Sequence, residues 1–283
     1  MHNPYVTATF TRMFLTTTRR LGALVSLLAL AGCTLQRNAS SQSVRVLVYN
    51  IHAGKDARGI DNLERVAALI RETAADIVLL QEVDRKTRRS GNVDHVAELE
   101  RLTGMHSAFG KSLSFQGGEY GIAILSRFRI DSSRTVPLPI DPPQLRSGVS
   151  YEPRVALRAW LTTSRGALHL VNTHMDASGD DRYRRQEIVT VLALGDSSRV
   201  PTLMGGDLNS TPESAVQQSV RARGWRDAWT ECGDASAGFT YPADSGTKRI
   251  DYLYFRGDTR CTRASVPASQ ASDHRALLVE IRP

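Results

Sequence analysis

The chain has 283 residues, with 36 Lys+Arg against 29 Asp+Glu, a formal net charge of +7, 41% hydrophobic residues and 23% charged ones. This ordinary globular composition excludes a disordered chain, a collagen-like fibre and a polytopic membrane protein. Three cysteines are too few for a disulfide scaffold, and the basic excess is only a weak pointer to an anionic partner.

Residues 1–32 contain Arg12, Arg19 and Arg20 and no acid, and they include the apolar stretch 21–30 (LGALVSLLAL). That stretch is far shorter than the roughly 20 residues a spanning helix needs. A basic region, a short apolar region and then small residues read as a secretory signal starting at Met1 or Met13. Its end, Leu30-Ala31-Gly32-Cys33, resembles the lipobox of bacterial lipoproteins. The resemblance implies cleavage before Cys33 and acylation of that cysteine; the alternative is a plain signal or uncleaved anchor, with Cys33 incidental. One acyl chain binds membranes marginally, so stable anchoring needs a second chain. Thr34 after the cysteine favours the outer membrane facing the periplasm, with the polar residues 34–43 as a tether. Loss of residues 1–32, with three arginines and no acid, lowers the net charge from +7 to +4. The expected organisation is a signal over 1–32, lipidated Cys33 with its tether over 33–43, and one catalytic domain over 44–283. In an oxidising compartment Cys232 and Cys261 are expected to form a disulfide closing a loop of roughly 30 residues. Two separate buried thiols are the alternative.

The run 44–49 (VRVLVY) predicts a strand. Leu63, Val66, Ala67 and Ile70 make the apolar stripe of a helix over 61–71, with Asp61 and Glu64 spaced as a capping box. Residues 77–80 (IVLL) read as a strand buried on both faces, and 93–102 as a weaker helix. Strands follow at 121–125, 155–161 and 168–172, with a long proline-rich loop (Pro137, Pro139, Pro142, Pro143) over 131–153. A helix over 182–194, a buried strand from 202–204, a helix begun by Pro212, and strands at 252–255 and 276–281 complete the series. Strands in pairs and in β-α alternation predict mixed sheets covered by helices in a single domain.

The strands end on polar residues. VRVLVY ends in Asn50, IVLL in Gln81-Glu82, and LHLVN runs into Thr173-His174-Met175-Asp176. TLMGG ends in Asp207-Leu208-Asn209; Arg249-Ile250-Asp251 leads into YLYF, and Ser272-Asp273-His274 into ALLVEI. Buried carboxylates are costly unless they converge on a cation or on one another, so six such ends suggest one shared site. Oxygen ligands without cysteine suit a hard cation, Mg²⁺ or Mn²⁺. A hard cation with imidazoles fits hydrolysis of phosphoesters.

This ordered set resembles the endonuclease/exonuclease/phosphatase superfamily over essentially all of residues 44–283. The superfamily includes pancreatic deoxyribonuclease, abasic-site endonucleases, neutral sphingomyelinases and inositol-phosphate 5-phosphatases. The resemblance implies a four-layer α/β/β/α sandwich of two mixed sheets flanked by helices. It implies Glu82 as principal metal ligand, Asn50 as its companion, and Asp273 near the metal or at a second metal position. It implies Asp207 orienting or deprotonating the attacking water, Asn209 holding substrate and nucleophile, and Asp251 bonded to a catalytic His274. His174 matches the second histidine, a phosphate contact or general acid. Glu119 and Tyr120 fall where a histidine partner or a phosphate-contacting tyrosine is placed, Arg154 is a candidate phosphate contact, and Asn172 a support for His174. His52 is close to the site in sequence; His95, His106 and His169 read as structural.

The expected activity is metal-dependent phosphoester hydrolysis by in-line attack of water, as a phosphodiesterase, nuclease or phosphatase. The substrate is a nucleic acid, a phospholipid or a small phosphoester, with the membrane as partner through the lipid anchor and no protein partner specified. Arg85-Lys86, Arg88-Arg89, Arg182, Arg184 and Arg185 are the candidate basic track for a nuclease. Leu113, Phe115 and Tyr120 around Gly117-Gly118 are the candidate apolar hairpin for a sphingomyelinase-like lipid enzyme. The other class is a non-catalytic envelope lipoprotein that binds a phosphorylated ligand.

Overall fold

Two runs that are apolar without alternation lie side by side at the centre of one sheet. They are β1 (Val44–Asn50) and β2 (Ile77–Arg85), parallel, with Tyr49 opposite Leu80. A parallel pair needs a crossover, supplied by the turn His52–Gly54 and α1 (Leu63–Glu72). After α2 (His95–Thr103) the hairpin β3 (His106–Phe115) and β4 (Gly118–Ser126) adds antiparallel to β2. The computed structural model describes residues 43–142 and 152–283. The signal, Cys33 and most of the tether, together with Pro143, lie outside the described residues.

The second half repeats the arrangement. β5 (Ile130–Leu138), β6 (Arg154–Thr163) and β7 (Gly166–His174) form an antiparallel meander. α3 (Arg182–Asp196) crosses over to β8 (Thr202–Asp207), parallel to β7. α4 (Ala215–Ala222), the short β9 (Arg226–Asp227) and α5 (Ala228–Cys232) precede β10 (Asp251–Arg256), which pairs with both β8 and β9. β11 (Arg260–Ser265) and β12 (Leu277–Arg282) return to the first sheet. The orders are β11-β12-β1-β2-β4-β3 and β5-β6-β7-β8-β10-β9, six strands each and each with one parallel pair at its centre.

Three apolar interfaces make four layers. Val46, Val48, Leu79, Leu157, Leu170 and Phe255 meet between the sheets. Leu47, Val78 and Leu80, the alternate residues of β1 and β2, pack under Val66 and Ile70 of α1 and Leu99 of α2. Val171, Met204 and Tyr252 pack under Ile188 and Val191 of α3 and Val216 and Val220 of α4. Covering both faces of β2 is what makes IVLL apolar throughout. The fold is the α/β/β/α sandwich of two mixed sheets. Cys232 at the end of α5 and Cys261 in β11 form a disulfide across 29 positions.

Several local expectations are corrected. The capping box at Asp61 does not form, because Asp61 pairs with Lys55. The helix starts after Asn62, whose amide donates to the carbonyls of Ile51, Lys55 and Ala271 instead. Pro212 lies in a turn, and Ser214 caps α4 by accepting the Gln217 amide. The first third of the expected loop 131–153 belongs to the edge strand β5, where Pro137 sits opposite Val155; an edge tolerates a proline because one side of its backbone has no strand partner. β3, polar at half of its positions, does not read as a strand. It is held by β4 across a two-residue turn with positive φ at Gln116 and Gly117.

Candidate active site

Register brings the polar strand ends together. His174 of β7 lies opposite Asp207 of β8, and Asp251 of β10 lies opposite Asp207 on its other side. Three chemistry-bearing residues thus share one row across three strands. The two glycines before Asp207 permit it: at Gly206 (φ +136°) an added Cβ would run into the Thr173 carbonyl. From the other sheet, Asn50 ends β1 and Glu82 sits in a bulge of β2. Pairing with β4 stops at Leu80–Ala123 and resumes at Val83–Gly121. Glu82 takes φ +56° there. A left-handed non-glycine residue costs on the order of 1–3 kcal/mol and persists only where its surroundings hold it. Asn209, with φ +46°, is a second such residue at the site.

Asn50 is buried between the two sheets, and its Nδ2 donates to Glu82 Oε1 and to Asp207 Oδ2, each at 3.1 Å. The Asn50 Oδ1 accepts the His52 amide at 3.0 Å, and its carbonyl accepts the Ser272 hydroxyl at 2.8 Å. Asp207 Oδ1 accepts the Asn209 amide at 2.9 Å, while Asn209 Nδ2 donates to the Met175 carbonyl at 3.0 Å. His274 Nδ1 is 2.9 Å from Asp251 Oδ2, and its Nε2 lies 3.7 Å from Asp207 Oδ2. Burial opposes a charge on His274, but the Asp251 carboxylate overcomes it and raises the imidazole to about 10. Burial, and then the Asp251 charge, raise Asp207 to about 7.

His174 has a different environment. Its Nδ1 is 3.0 Å from Arg154 Nη1, and its Nε2 is 3.6 Å from Asp207 Oδ2. A guanidinium only donates, so Nδ1 accepts and the ring proton sits on Nε2, facing Asp207. Glu119 contacts no histidine among the described residues. It pairs with Arg85 at 3.3 Å and Lys111 at 3.2 Å, because adjacent strand residues point to opposite faces. Tyr120, its neighbour, turns inward to line the cleft and is held protonated by burial. Arg154 is buried and also pairs with Glu152 at 2.9 Å. Asn172 is fully buried, out of reach of a substrate, and bonds to β2 and β4 of the other sheet rather than to His174.

Of the remaining histidines, His52 is half-buried, with Nδ1 3.8 Å from Asp273 Oδ1. His95 is buried and accepts the Asp84 amide; His169 is buried and stacked on Trp160; His106 is exposed. Two neighbours of the site were not singled out in the sequence. Tyr241 lies against His274 with ring centroids 4.8 Å apart, and the Thr240 hydroxyl accepts the Asp251 amide at 3.3 Å. Both come from a loop whose only sequence mark is Thr240-Tyr241-Pro242.

These groups open into a cleft of about 780 Å³ lined by Glu82, Tyr120, Arg154, His174, Asp207 and His274, among others. Asp207, Asp251 and His274 each offer a ligand atom within 4.8 Å of the others, so they could hold a metal ion. Glu82 and Asp273 add carboxylate oxygens to the same cleft, while Asn50 turns its Nδ2 to Glu82 and Asp207 and its Oδ1 to the His52 amide. The donors are oxygen-rich and hold four carboxylates against one imidazolium, which fits a divalent hard cation.

Comparison with known proteins agrees with this geometry. The Endonuclease/Exonuclease/phosphatase family model matches residues 47–274. Uncharacterized protein YbhP of Escherichia coli (strain K12) is 26% identical over 257 residues, covering 84% of this chain and 96% of that protein. A crystal structure of an endonuclease/exonuclease/phosphatase from Beutenbergia cavernae DSM 12333 superposes with TM-score 0.74 at 23% identity, over 86% of this chain and 72% of that one. A mannosyl-6-phosphatase from Bacteroides thetaiotaomicron VPI-5482 gives TM-score 0.70 at 19% identity, over 85% and 100%. With matching fold, matching family model and one convergent cleft, the chain belongs to the endonuclease/exonuclease/phosphatase family.

Proposed function

We propose that the protein is a metal-dependent hydrolase of small phosphoesters. The observation that carries it is the row His174–Asp207–Asp251 with His274, facing Glu82 and Asn50 across one cleft. Asp207, raised to about 7, is suited to orient a water and take its proton as the water attacks phosphorus in line. Asn209, tied to the Met175 carbonyl, fixes the loop beside that water. The His274 imidazolium and the His174 Nε2–H donate to the phosphoryl oxygens as their charge grows. Glu82 and Asp273 would hold the cation, Mg²⁺ or Mn²⁺, with Asn50 fixing the Glu82 carboxylate through its Nδ2. The Asp251–His274 pair is already closed by its own hydrogen bond, which makes it the poorer cation site. When bound, the cation supplies Lewis-acid neutralisation of the phosphate.

The cations of the cleft favour a small substrate over a nucleic acid. Arg89 is bidentate to Asp84, Arg154 pairs with Glu152, and Arg184 donates to the Asp176 and Ser178 carbonyls. Among the described residues, Lys248 and Arg184 are the cleft cations without a carboxylate partner, and Arg184 is turned onto backbone carbonyls. A polyanion needs several free cations along a track. The likeness to a mannosyl-6-phosphatase supports the same direction. We also propose that Cys33 carries a lipid anchor at the cell envelope.

The test is turnover of p-nitrophenyl phosphate, bis-p-nitrophenyl phosphate and plasmid DNA with Mg²⁺ or Mn²⁺. The small esters should turn over faster than the plasmid. Asp207→Asn and His274→Ala should each lower kcat by roughly 10²–10⁴. Unchanged hydrolysis in both variants would refute the mechanism, and faster cutting of plasmid would refute the substrate class. No turnover of any of the three would favour the ligand-binding class.

A further inference from the structure

The centre of the sandwich holds a polar residue that the mechanism does not use. Asn172 of β7 is fully buried between the sheets. Its Nδ2 donates to the Leu80 and Ala123 carbonyls of the opposite sheet, both at 2.9 Å, and its Oδ1 accepts Gln81 Nε2 at 2.8 Å. An amide placed there costs several kcal/mol unless it is hydrogen-bonded, so a roughly 1 kcal/mol net gain per bond does not by itself explain its presence. The partners do. Leu80 and Ala123 are the last pair before the β2–β4 register breaks, and Gln81 with Glu82 forms the bulge itself.

Gln81 is restrained through its Nε2 and its main-chain carbonyl, while its buried Oε1 has no hydrogen-bond partner. It is fully buried, its Nε2 also donates to the Leu79 carbonyl at 3.1 Å, and its own carbonyl accepts the Ile51 amide at 3.1 Å. The next residue is Glu82, in the left-handed region at φ +56° and bonded to Asn50. A bulge loosens ladder bonds, and a strained residue relaxes unless its neighbours are over-determined. Asn172 supplies donors to two carbonyls at the break. It stands two residues before His174 on the same strand, so the same tie sets β7 against β2.

We propose that Asn172 is a positioning residue: its carboxamide pins the β2–β4 bulge from the opposite sheet and so aims Glu82 at the cation and phosphate position. This rests on the phosphoester-hydrolase reading for its functional consequence, not for the tie itself. The test compares Asn172→Leu, which keeps the branched heavy-atom shape and removes both donors and the acceptor, with Val171→Ala at a side chain that faces the outer helices. Amide hydrogen exchange at residues 81–83 should quicken at least about tenfold in Asn172→Leu and much less in Val171→Ala. Affinity for Mn²⁺, read by electron paramagnetic resonance without substrate, should fall roughly 10–100-fold in Asn172→Leu. It should fall no further when Asn172→Leu is added to Glu82→Gln, because both changes act through one carboxylate.

Additive losses of Mn²⁺ affinity, or losses equal to those of Val171→Ala, would overturn the proposal. Unchanged exchange at 81–83 would overturn it whatever the activity. If wild type neither binds Mn²⁺ nor hydrolyses phosphoesters, the functional reading fails and the exchange experiment still judges the tie. If Asn172→Leu does not fold, Gln81→Leu removes one of the three Asn172 bonds, together with the bond to the Leu79 carbonyl, and should give a smaller change of the same kind; no change there would also overturn it.

Discussion

Replacing Asp251 by Asn removes the charge that keeps His274 protonated. The imidazole, 4% exposed, is raised to about 10 against burial that opposes its charge. Relative to an ordinary histidine near 6.5, the shift corresponds to at most roughly 5 kcal/mol. Asp207 and Asp273 contribute to that figure, and the Asp251 charge adds to burial, the larger cause, in raising Asp207 to about 7. The net loss of stability in Asp251→Asn is therefore expected to be about 2–3 kcal/mol near pH 6. The sign follows from the raised pKa. The stabilisation is fully present below about 6.5 and disappears as pH rises through about 10. Above that, His274 is neutral in both proteins, and the relief of Asp207 makes the variant at least as stable as wild type. The assay is urea unfolding in EDTA at about pH 6, 8 and 10, with the His274 ring proton followed by NMR. A stability difference independent of pH, or a variant whose His274 still titrates near 10, would refute the reasoning.

Glu187 in α3 is fully buried, with one oxygen on the Asp176 amide at 2.9 Å and the other unpartnered; burial raises it to about 7. The folded carboxyl keeps its proton where the unfolded one has lost it, so wild type loses stability as pH rises from about 4.5 to about 7. Glu187→Gln should gain up to roughly 3 kcal/mol at pH 8 and nothing near pH 4, read by urea midpoints. Opening the Cys232–Cys261 link by Cys232→Ser should cost roughly 3–4 kcal/mol, from the loop of 29 positions, and dithiothreitol should lower wild type to the same midpoint. Cys33→Ser should move the protein from the membrane to the soluble fraction of an expressing cell; retention in the membrane would exclude the lipid anchor.

Much of the fold is legible because the central strands are covered on both faces. IVLL and VRVLVY must be apolar at nearly every position, and the polar residue that ends each run is conspicuous. The second sheet reads the same way at LHLVN and TLMGG. Edge elements are not legible in this manner. β5 and β3 are strands because β6 and β4 present open backbone groups to them, and pairing of that kind leaves no apolar period in their own residues. The Pro137 that reads as a loop is acceptable because the strand has a free edge.

Charge clusters are rearranged by the fold for a related reason. Arg85, Arg89 and Arg184 look like a basic track in sequence, yet each is spent on an internal partner brought close by the fold. Glu119 and Tyr120, adjacent in sequence, face opposite sides of β4. The residue types and order of the strand ends, Asn50, Glu82, His174, Asp207, Asp251 and His274, are a property of the sequence by itself, and they mark the chain as a member of the endonuclease/exonuclease/phosphatase family. Their arrangement is decided by the tertiary structure: the register that aligns His174, Asp207 and Asp251, the left-handed bulge at Glu82, the Arg154 contact that sets the His174 tautomer, and the Asn172 tie beneath it. Each depends on backbone groups from a strand remote in sequence, and hydrogen bonds between remote strands have no signature in the periodicity of either.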